Sequence, residues 1–127
     1  MHWPDRKVTF RNLGWSGDTV FGESRAIYGE LKGPDRLVAL VHELKPTVIL
    51  IGYGEVESYQ GEAGLERFRV GLNQLLDKLE DLHAQIVLLG PTKHEGDAAA
   101  HNPTLRIYAN AIRSVALLRG LVFVNLF

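Results

Sequence analysis

Three short, nearly continuous apolar runs constrain this chain more than any other feature: TVILIGY at 47 to 53, QIVLLG at 85 to 90 and LVFVNLF at 121 to 127. Runs of this length without polar alternation are what parallel strands look like when helices cover both faces. Parallel neighbours need long crossovers, and amphipathic stretches lie between the runs. Leu65, Phe68, Leu72, Leu75, Leu76, Leu79 and Leu82 recur at helical spacing before the second run, and Leu105, Tyr108, Ile112 and Ala116 do so before the third. Asn102-Pro103 offers an N-cap followed by proline at the first helical position, and Gly120 a stop. Ahead of the first run, Leu37, Leu40, Val41 and Leu44 mark another helical face after Pro34.

A fourth strand is predicted at Lys7 to Leu13, where Val8 and Phe10 alternate with Thr9 and Arg11 as on a half-covered edge strand. Asp18 to Glu30 is predicted helical, with Asp18 or Thr19 as cap and Gly22 as a weak point. Strand, helix, strand, helix, strand, helix, strand is the order of an α/β fold: a three-layer α/β/α domain around a mostly parallel sheet of about four strands. The 127 residues, 46% of them hydrophobic, suffice for one domain with its own core and leave no room for a second.

The formal net charge is −1, with 14 basic residues dispersed among 15 acidic ones, so the one-sided basic surface that nucleic acid demands is missing. The lack of cysteine removes thiolate chemistry, disulfides and Cys-ligated zinc. No apolar stretch approaches the ~20 residues that span a bilayer. The opening Met1-His2-Trp3-Pro4 is unlike a signal peptide, and a soluble chain without membrane partners is expected.

In such a sheet, ligands bind at the carboxyl ends of the strands, where loops converge and helix N-termini present free N–H groups. Gly14 to Asp18, Gly52 to Ser58 and Pro91 to Glu95 occupy those positions and are expected on one rim. The first of them lies in NLGWSGDTV, residues 12 to 20, where a strand-like run turns into Gly14, Trp15, Ser16, Gly17 and Asp18.

That stretch resembles the second sequence block of the SGNH, or GDSL-type, hydrolases, a strand ending in Asn-x-x-x-Ser-Gly-Asp, matched by Asn12, Ser16, Gly17 and Asp18. The run KPTVILIGYGEVESYQGEAGLERF, residues 45 to 68, is similar to the family's third block, with Pro46, Gly54 and Glu57 in place. GPTKHE is similar to its fourth strand exit and LVFVNLF to its fifth strand, with Asn125 where an aspartate is often found. The resemblance therefore covers nearly the whole chain and implies a flavodoxin-like sheet, an ester hydrolase acting on acyl or acetyl esters, and an oxyanion hole to which the Gly17 N–H contributes. Rim residues Asn12, Trp15, Ser16, Asp18, Gly54, Glu57, Ser58 and His94 are the expected binding set.

The departures are as specific. Val56 stands where the third block has an asparagine side chain in the oxyanion hole, and valine donates nothing. One such donor is worth roughly 3 kcal/mol in the transition state. The family's nucleophilic serine follows a first strand that would precede Lys7, and its Asp-x-x-His would follow the fifth strand; neither Gly-Asp-Ser nor Asp-x-x-His occurs in these residues. Residues 1 to 127 thus read as a single SGNH-like domain truncated at both ends and expected to be inactive alone, since serine needs an oriented base. The competing class is a non-catalytic module on the same fold, binding a small polar ligand or serving assembly.

Other groupings are weaker. Ser16 and Ser58 are within reach of His94 on the rim, but Ser16 bonding its own turn and Ser58 capping a loop are the ordinary roles. His94, Glu95, Asp97 and His101 share a polar loop without the His-Glu-x-x-His spacing, and a solvated loop is expected in place of a metal site. Gly52-x-Gly54 precedes Glu57, not a third glycine, and its carboxylates repel a pyrophosphate, so no cofactor is expected. Glu80 and His83 are expected on one face near a helix C-terminus, and Glu55 and Glu57 on opposite sides of the chain. Trp15 would line the pocket or pack under its loop, and Trp3 is a second stacking candidate. Without the family's first strand, which lies centrally between 7 to 13 and 47 to 53, the first apolar run has a bare edge. Homo-oligomerisation, or pairing with a missing segment, is the expected remedy.

Overall fold

The structure is a computed structural model in which residues 7–25 and 33–127 are described. Among these residues, besides three 3₁₀ turns, seven α-helices and strands follow in order: α1 (Asp35–Leu44), β1 (Val48–Gly52), the single turn α2 (Glu55–Ser58), α3 (Leu65–Asp77), β2 (Gln85–Leu89), α4 (Asn102–Arg119) and β3 (Val122–Val124). The three apolar runs become the three strands, parallel and in the order β1-β2-β3. The architecture is α/β, as the alternation of apolar runs and helical stripes implied.

Register explains how the core forms. Ile49 pairs with Ile86, Ile51 with Leu88, and Leu88 with Phe123, which aligns these side chains on one face of the sheet. Against that face pack Phe68, Leu72, Leu75 and Leu76 of α3, Tyr108, Ile112, Val115 and Ala116 of α4, and Val41 of α1. Leu105, Tyr108, Ile112 and Ala116, the α4 stripe, are all essentially inaccessible. In α3, a Cβ on Gly71 would stand 2.5 Å from the Phe21 ring, so glycine is what admits that ring against the helix. The Arg67 guanidinium lies 4.1 Å from the centroid of the same ring on its way to Glu23.

Several expectations are corrected. Lys7 to Leu13 forms no strand: residues 7 to 12 are exposed coil, with Phe10 82% accessible. Alternation can mark a strand's two faces, but the ladder needs a partner, and none of the described residues pairs with this segment or with the outer edge of β1. Direct pairing of 7 to 13 with β1 therefore does not occur. Among the described residues, helices also cover the strands on one face only. Val48 and Leu50 on β1 and Val122 and Val124 on β3 remain 39 to 61% exposed on the other.

The helices differ in detail as well. The α1 stripe turns by a position, burying Val41 and half-burying Leu37 and Val38 while Leu40 and Leu44 stay exposed. The long apolar face of 65 to 82 is broken: α3 ends at Asp77, Glu80–Leu82 is a 3₁₀ turn, and His83 sits beyond it at φ 52°, off any shared helix face with Glu80. Of Asp18 to Glu30, residues 18 to 25 are turns with Gly22 N–H closing on the Thr19 carbonyl, and 26 to 30 lie outside the described residues, as does Trp3. Asn102 does not cap α4. Its side chain accepts the His94 N–H at 2.9 Å and donates to the His94 carbonyl at 3.0 Å, so the polar group that a cap would use is spent on the preceding loop. No helix among the described residues is long and apolar enough to cross a membrane.

Leu88, at the centre of β2 and fully buried, is the test of this packing. Leu88→Ala is expected to cost about 3 kcal/mol of unfolding free energy. In chemical denaturation that appears as a lower midpoint with an unchanged slope.

Candidate functional site

At the carboxyl ends of the strands, the chain from Leu13 to Arg25 is held against the β1–α2 turn by two buried carboxylates. Asp18, 7% exposed, forms an ion pair with Arg25, itself 8% exposed. Arg25 also donates to the Leu13 carbonyl at 2.6 Å and lies 5.9 Å from the Trp15 ring centroid, so one guanidinium organises both ends of the loop. The Tyr53 hydroxyl, just beyond β1, approaches the Asp18 carboxylate at 3.5 Å. Burial, then the negative Asp18, pushes the Tyr53 phenol up to about 12, and the nearby Arg25 opposes them. Tyr53 is thus a neutral donor at any ordinary pH. The second oxygen of Asp18 is buried without a hydrogen-bond partner among the described residues.

Glu57 makes the second tie. Its two carboxylate oxygens accept the Val20 N–H at 2.8 Å and the Gly54 N–H at 3.0 Å, and its side chain is almost wholly buried. The reach back to Gly54 is half of a capping box, N3 glutamate to N-cap N–H. Burial raises the Glu57 pKa above the usual carboxylate range, against the N–H donors that pull it down. Gly54 stands at φ 106° with Ile112, Phe68 and Tyr108 around it, a backbone conformation that a side chain would strain. Glu55 is exposed and Glu57 buried, so the two glutamates do face opposite ways, but because they lie two apart on a helical turn; at a strand end residues two apart would share a face.

The remaining rim positions fall as follows. Asn12 Oδ1 accepts the Gly14 N–H at 2.9 Å, and the Asp18 N–H closes the turn on the Trp15 carbonyl. Gly17 is exposed at φ 71°, its carbonyl taking the Ser24 hydroxyl at 2.7 Å, while its N–H meets no acceptor among the described residues. Ser16 is exposed and its hydroxyl does not bond its own turn, contrary to expectation. Trp15 is 47% exposed, and so is not packed wholly beneath the loop. Val56 is 38% exposed on the rim.

Ser58 meets a histidine, but not His94. Its Oγ lies 2.8 Å from His101 Nε2 and donates to the Glu55 carbonyl at 2.6 Å. A hydroxyl has one proton; with that proton on the carbonyl, the imidazole must be the donor to Oγ. This is the reverse of a serine activated by a base, and Ser58 is completely buried. Tyr59 stacks on His101 with centroids 4.2 Å apart and planes at 4°, and His94 flanks the pair at 6.3 Å from Tyr59 and 5.9 Å from His101. The cluster pins α2 to the loop before α4. Among the described residues no three His, Asp or Glu side chains converge as a metal site would require.

No family model matches the chain, and no curated protein matches it significantly. Solved structures do. The fold is shared with esterases. A catalytic mutant of an acetylxylan esterase from Geobacillus stearothermophilus superposes with a TM-score of 0.65 at 20% identity, over 86% of this chain and 50% of its own. An esterase from a psychrotrophic Pseudoalteromonas species, inhibited by monoethylphosphonate, gives 0.62 at 19% identity over 87% of this chain and 52% of its own. A second mutant of the Geobacillus enzyme, described as an acetyl-xylooligosaccharide esterase, gives 0.63 at 20%. The chain spans about half the length of these structures.

Arg25, Tyr53, Tyr59 and the Ser58–His101 bond escaped the sequence reading. Arg25 lies in a stretch whose spacing suggested a helix, and His101 was weighed only as a metal ligand. The nearest sequence signal was Asp18 itself, a carboxylate beside an apolar segment that needs a cation.

Because the folded-state pKa of Glu57 is raised, its contribution is fully present below the ordinary carboxylate value of about 4 and is lost as pH rises through the raised value. Glu57→Gln places an amide NH2 against one of the two N–H donors and is expected to cost about 1–3 kcal/mol. The deficit relative to the parent should be largest at low pH and narrow upward. Denaturation of both proteins across pH 4 to 7.5 checks this, and a gap that widens with pH refutes it.

Proposed function

We propose that this chain carries the oxyanion side of an ester-hydrolase site. In this reading, the Gly17 N–H is the donor aimed at the ester's developing negative charge, and Asn12, Trp15, Ser16, Asp18, Gly54, Glu57, Ser58 and His94 form or support its surroundings. The observation that carries it is the exposed turn at Gly17, with its N–H unengaged among the described residues, at the carboxyl end of a sheet whose fold is that of known esterases. The substrate class is a small acyl or acetyl ester, the class to which the names of the similar enzymes point.

Acyl transfer also needs a nucleophile and a base. The Ser58–His101 pair has its proton arranged the wrong way and its hydroxyl sealed from solvent, so these groups come from polypeptide outside the residues in hand. The outer edge of β1, unpaired among the described residues, is where such a segment, or a second copy of the chain, pairs. Alone, the 127 residues are without esterase activity. One observation favours the second reading, a non-catalytic small-ligand module: Val56 is half-exposed on the rim, where the resemblance puts an asparagine donor.

A serine-reactive fluorophosphonate, applied to the chain alongside Ser58→Ala and Ser16→Ala controls, tests the proposal together with hydrolysis of an activated acetyl ester. No labelling and no turnover above buffer are expected. Labelling abolished by either substitution would establish a self-contained nucleophile and overturn the half-site reading. Stabilisation by acetate or another small polar ligand, with no response to the phosphonate, would favour the binding module.

A further inference from the structure

Running down from the carboxyl end of β3, α4 and β3 flank an open groove of about 700 Å³. Arg106, Asn110, Arg113 and Leu117 line it from α4 at spacings of four, three and four residues, which puts them on one side of the helix. Leu121 and Phe123 continue the apolar end. No aspartate or glutamate contributes to the lining, although acidic residues outnumber basic ones in the chain as a whole. Among the described residues neither arginine forms an ion pair, whereas Arg119 on the same helix is paired with Asp77. At the cationic end the Arg106 guanidinium lies 5.0 Å from the Phe127 ring centroid and Lys93 Nζ 5.5 Å from it, which adds a third positive charge. Asn125, also in the lining, uses its Oδ1 to accept the Phe127 N–H, and its amide N–H groups have no partner among the described residues.

We propose that this groove docks an acidic amphipathic segment of a partner protein, its carboxylates on Arg106 and Arg113 and an apolar side chain over Leu117 and Leu121. Charge complementarity names the sign of the partner, and dimensions name its form. At 1.5 Å per helical residue the two arginines are roughly 10 Å apart along the axis, and the stripe from Arg106 to Leu117 is roughly 16 Å long. A small anion would satisfy one guanidinium and leave the apolar end uncovered. A segment with two carboxylates one heptad apart and a leucine beyond them occupies the whole length, in the manner of helix-in-groove recognition. This site is independent of the proposed ester site.

The test uses a fluorescent helical peptide with two glutamates one heptad apart followed by leucines, titrated into the 127-residue chain by anisotropy. Saturable binding that weakens with salt is expected, with a loss of at least roughly tenfold in Arg106→Glu/Arg113→Glu and a several-fold loss in Leu117→Ser. Circular dichroism checks that the variants fold, and all three replaced side chains are solvent-exposed. The same peptide with lysines in place of the glutamates should not bind. Equal binding by the charge-reversed variant, or no saturable binding, overturns the proposal. So does displacement of the peptide by inorganic phosphate or a short dicarboxylate at equal concentration, which would make the groove a small-anion site, and so does a dimer in sedimentation that dissociates on Arg113→Glu, which would give it to a second copy.

Discussion

The Glu57 carboxylate is the interaction on which the rim depends. The segment from Leu13 to Arg25 contributes no strand, so it has no ladder to fix it to the sheet. What holds it is the Val20 N–H on one oxygen of Glu57, whose other oxygen holds Gly54 at the start of α2. With Val20 anchored, Phe21 reaches the gap over Gly71, and Asp18 comes beside Tyr53. A carboxylate so far from water is costly unless its lone pairs are occupied, and here backbone donors occupy them. The same burial that raises its pKa keeps water from competing for those two N–H groups.

Asp18 and Arg25 repeat that logic with a charge. An ion pair this enclosed adds little net stability over an apolar pair of the same size, yet losing either partner would strand the other. Its effect is geometric. Through Arg25 the pair joins the Leu13 carbonyl to the turn that carries Gly17, so the exposed conformation of that glycine is a consequence of groups beneath it.

How much of this was legible follows from what periodicity encodes. The parallel strands and the buried stripes of α3 and α4 were readable because Leu72, Leu88, Tyr108 and Ile112 repeat with the geometry of the element that buries them. Lys7 to Leu13 alternates equally well, but a strand exists only through its neighbour, and the segment's composition carries no record of one. Asn102 has the chemistry of a cap and spends it on His94, because a side chain that can bond a backbone will bond whichever backbone the tertiary fold brings near. At the rim, Asp18 and Glu57 were marked by their motifs. Arg25, Tyr53 and His101 were not, since pairings across 7, 35 and 43 residues follow from the fold and not from local spacing.

The one-sided sheet links these observations to function. β1 has helices on the face of Ile49 and Ile51 and solvent on the face of Val48 and Leu50, and its outer edge is unpaired among the described residues. An apolar edge of this kind favours any strand that can complete it. Such a strand would run beside Tyr53 and emerge at the level of Asp18 and Gly17, because parallel neighbours end on the same rim. The edge that lacks a partner among the described residues therefore ends on the rim that carries Gly17. Completing the sheet would also cover the rim beside Tyr53 and Asp18, so stability of the sheet and order of the rim should be gained together, whichever polypeptide supplies the strand.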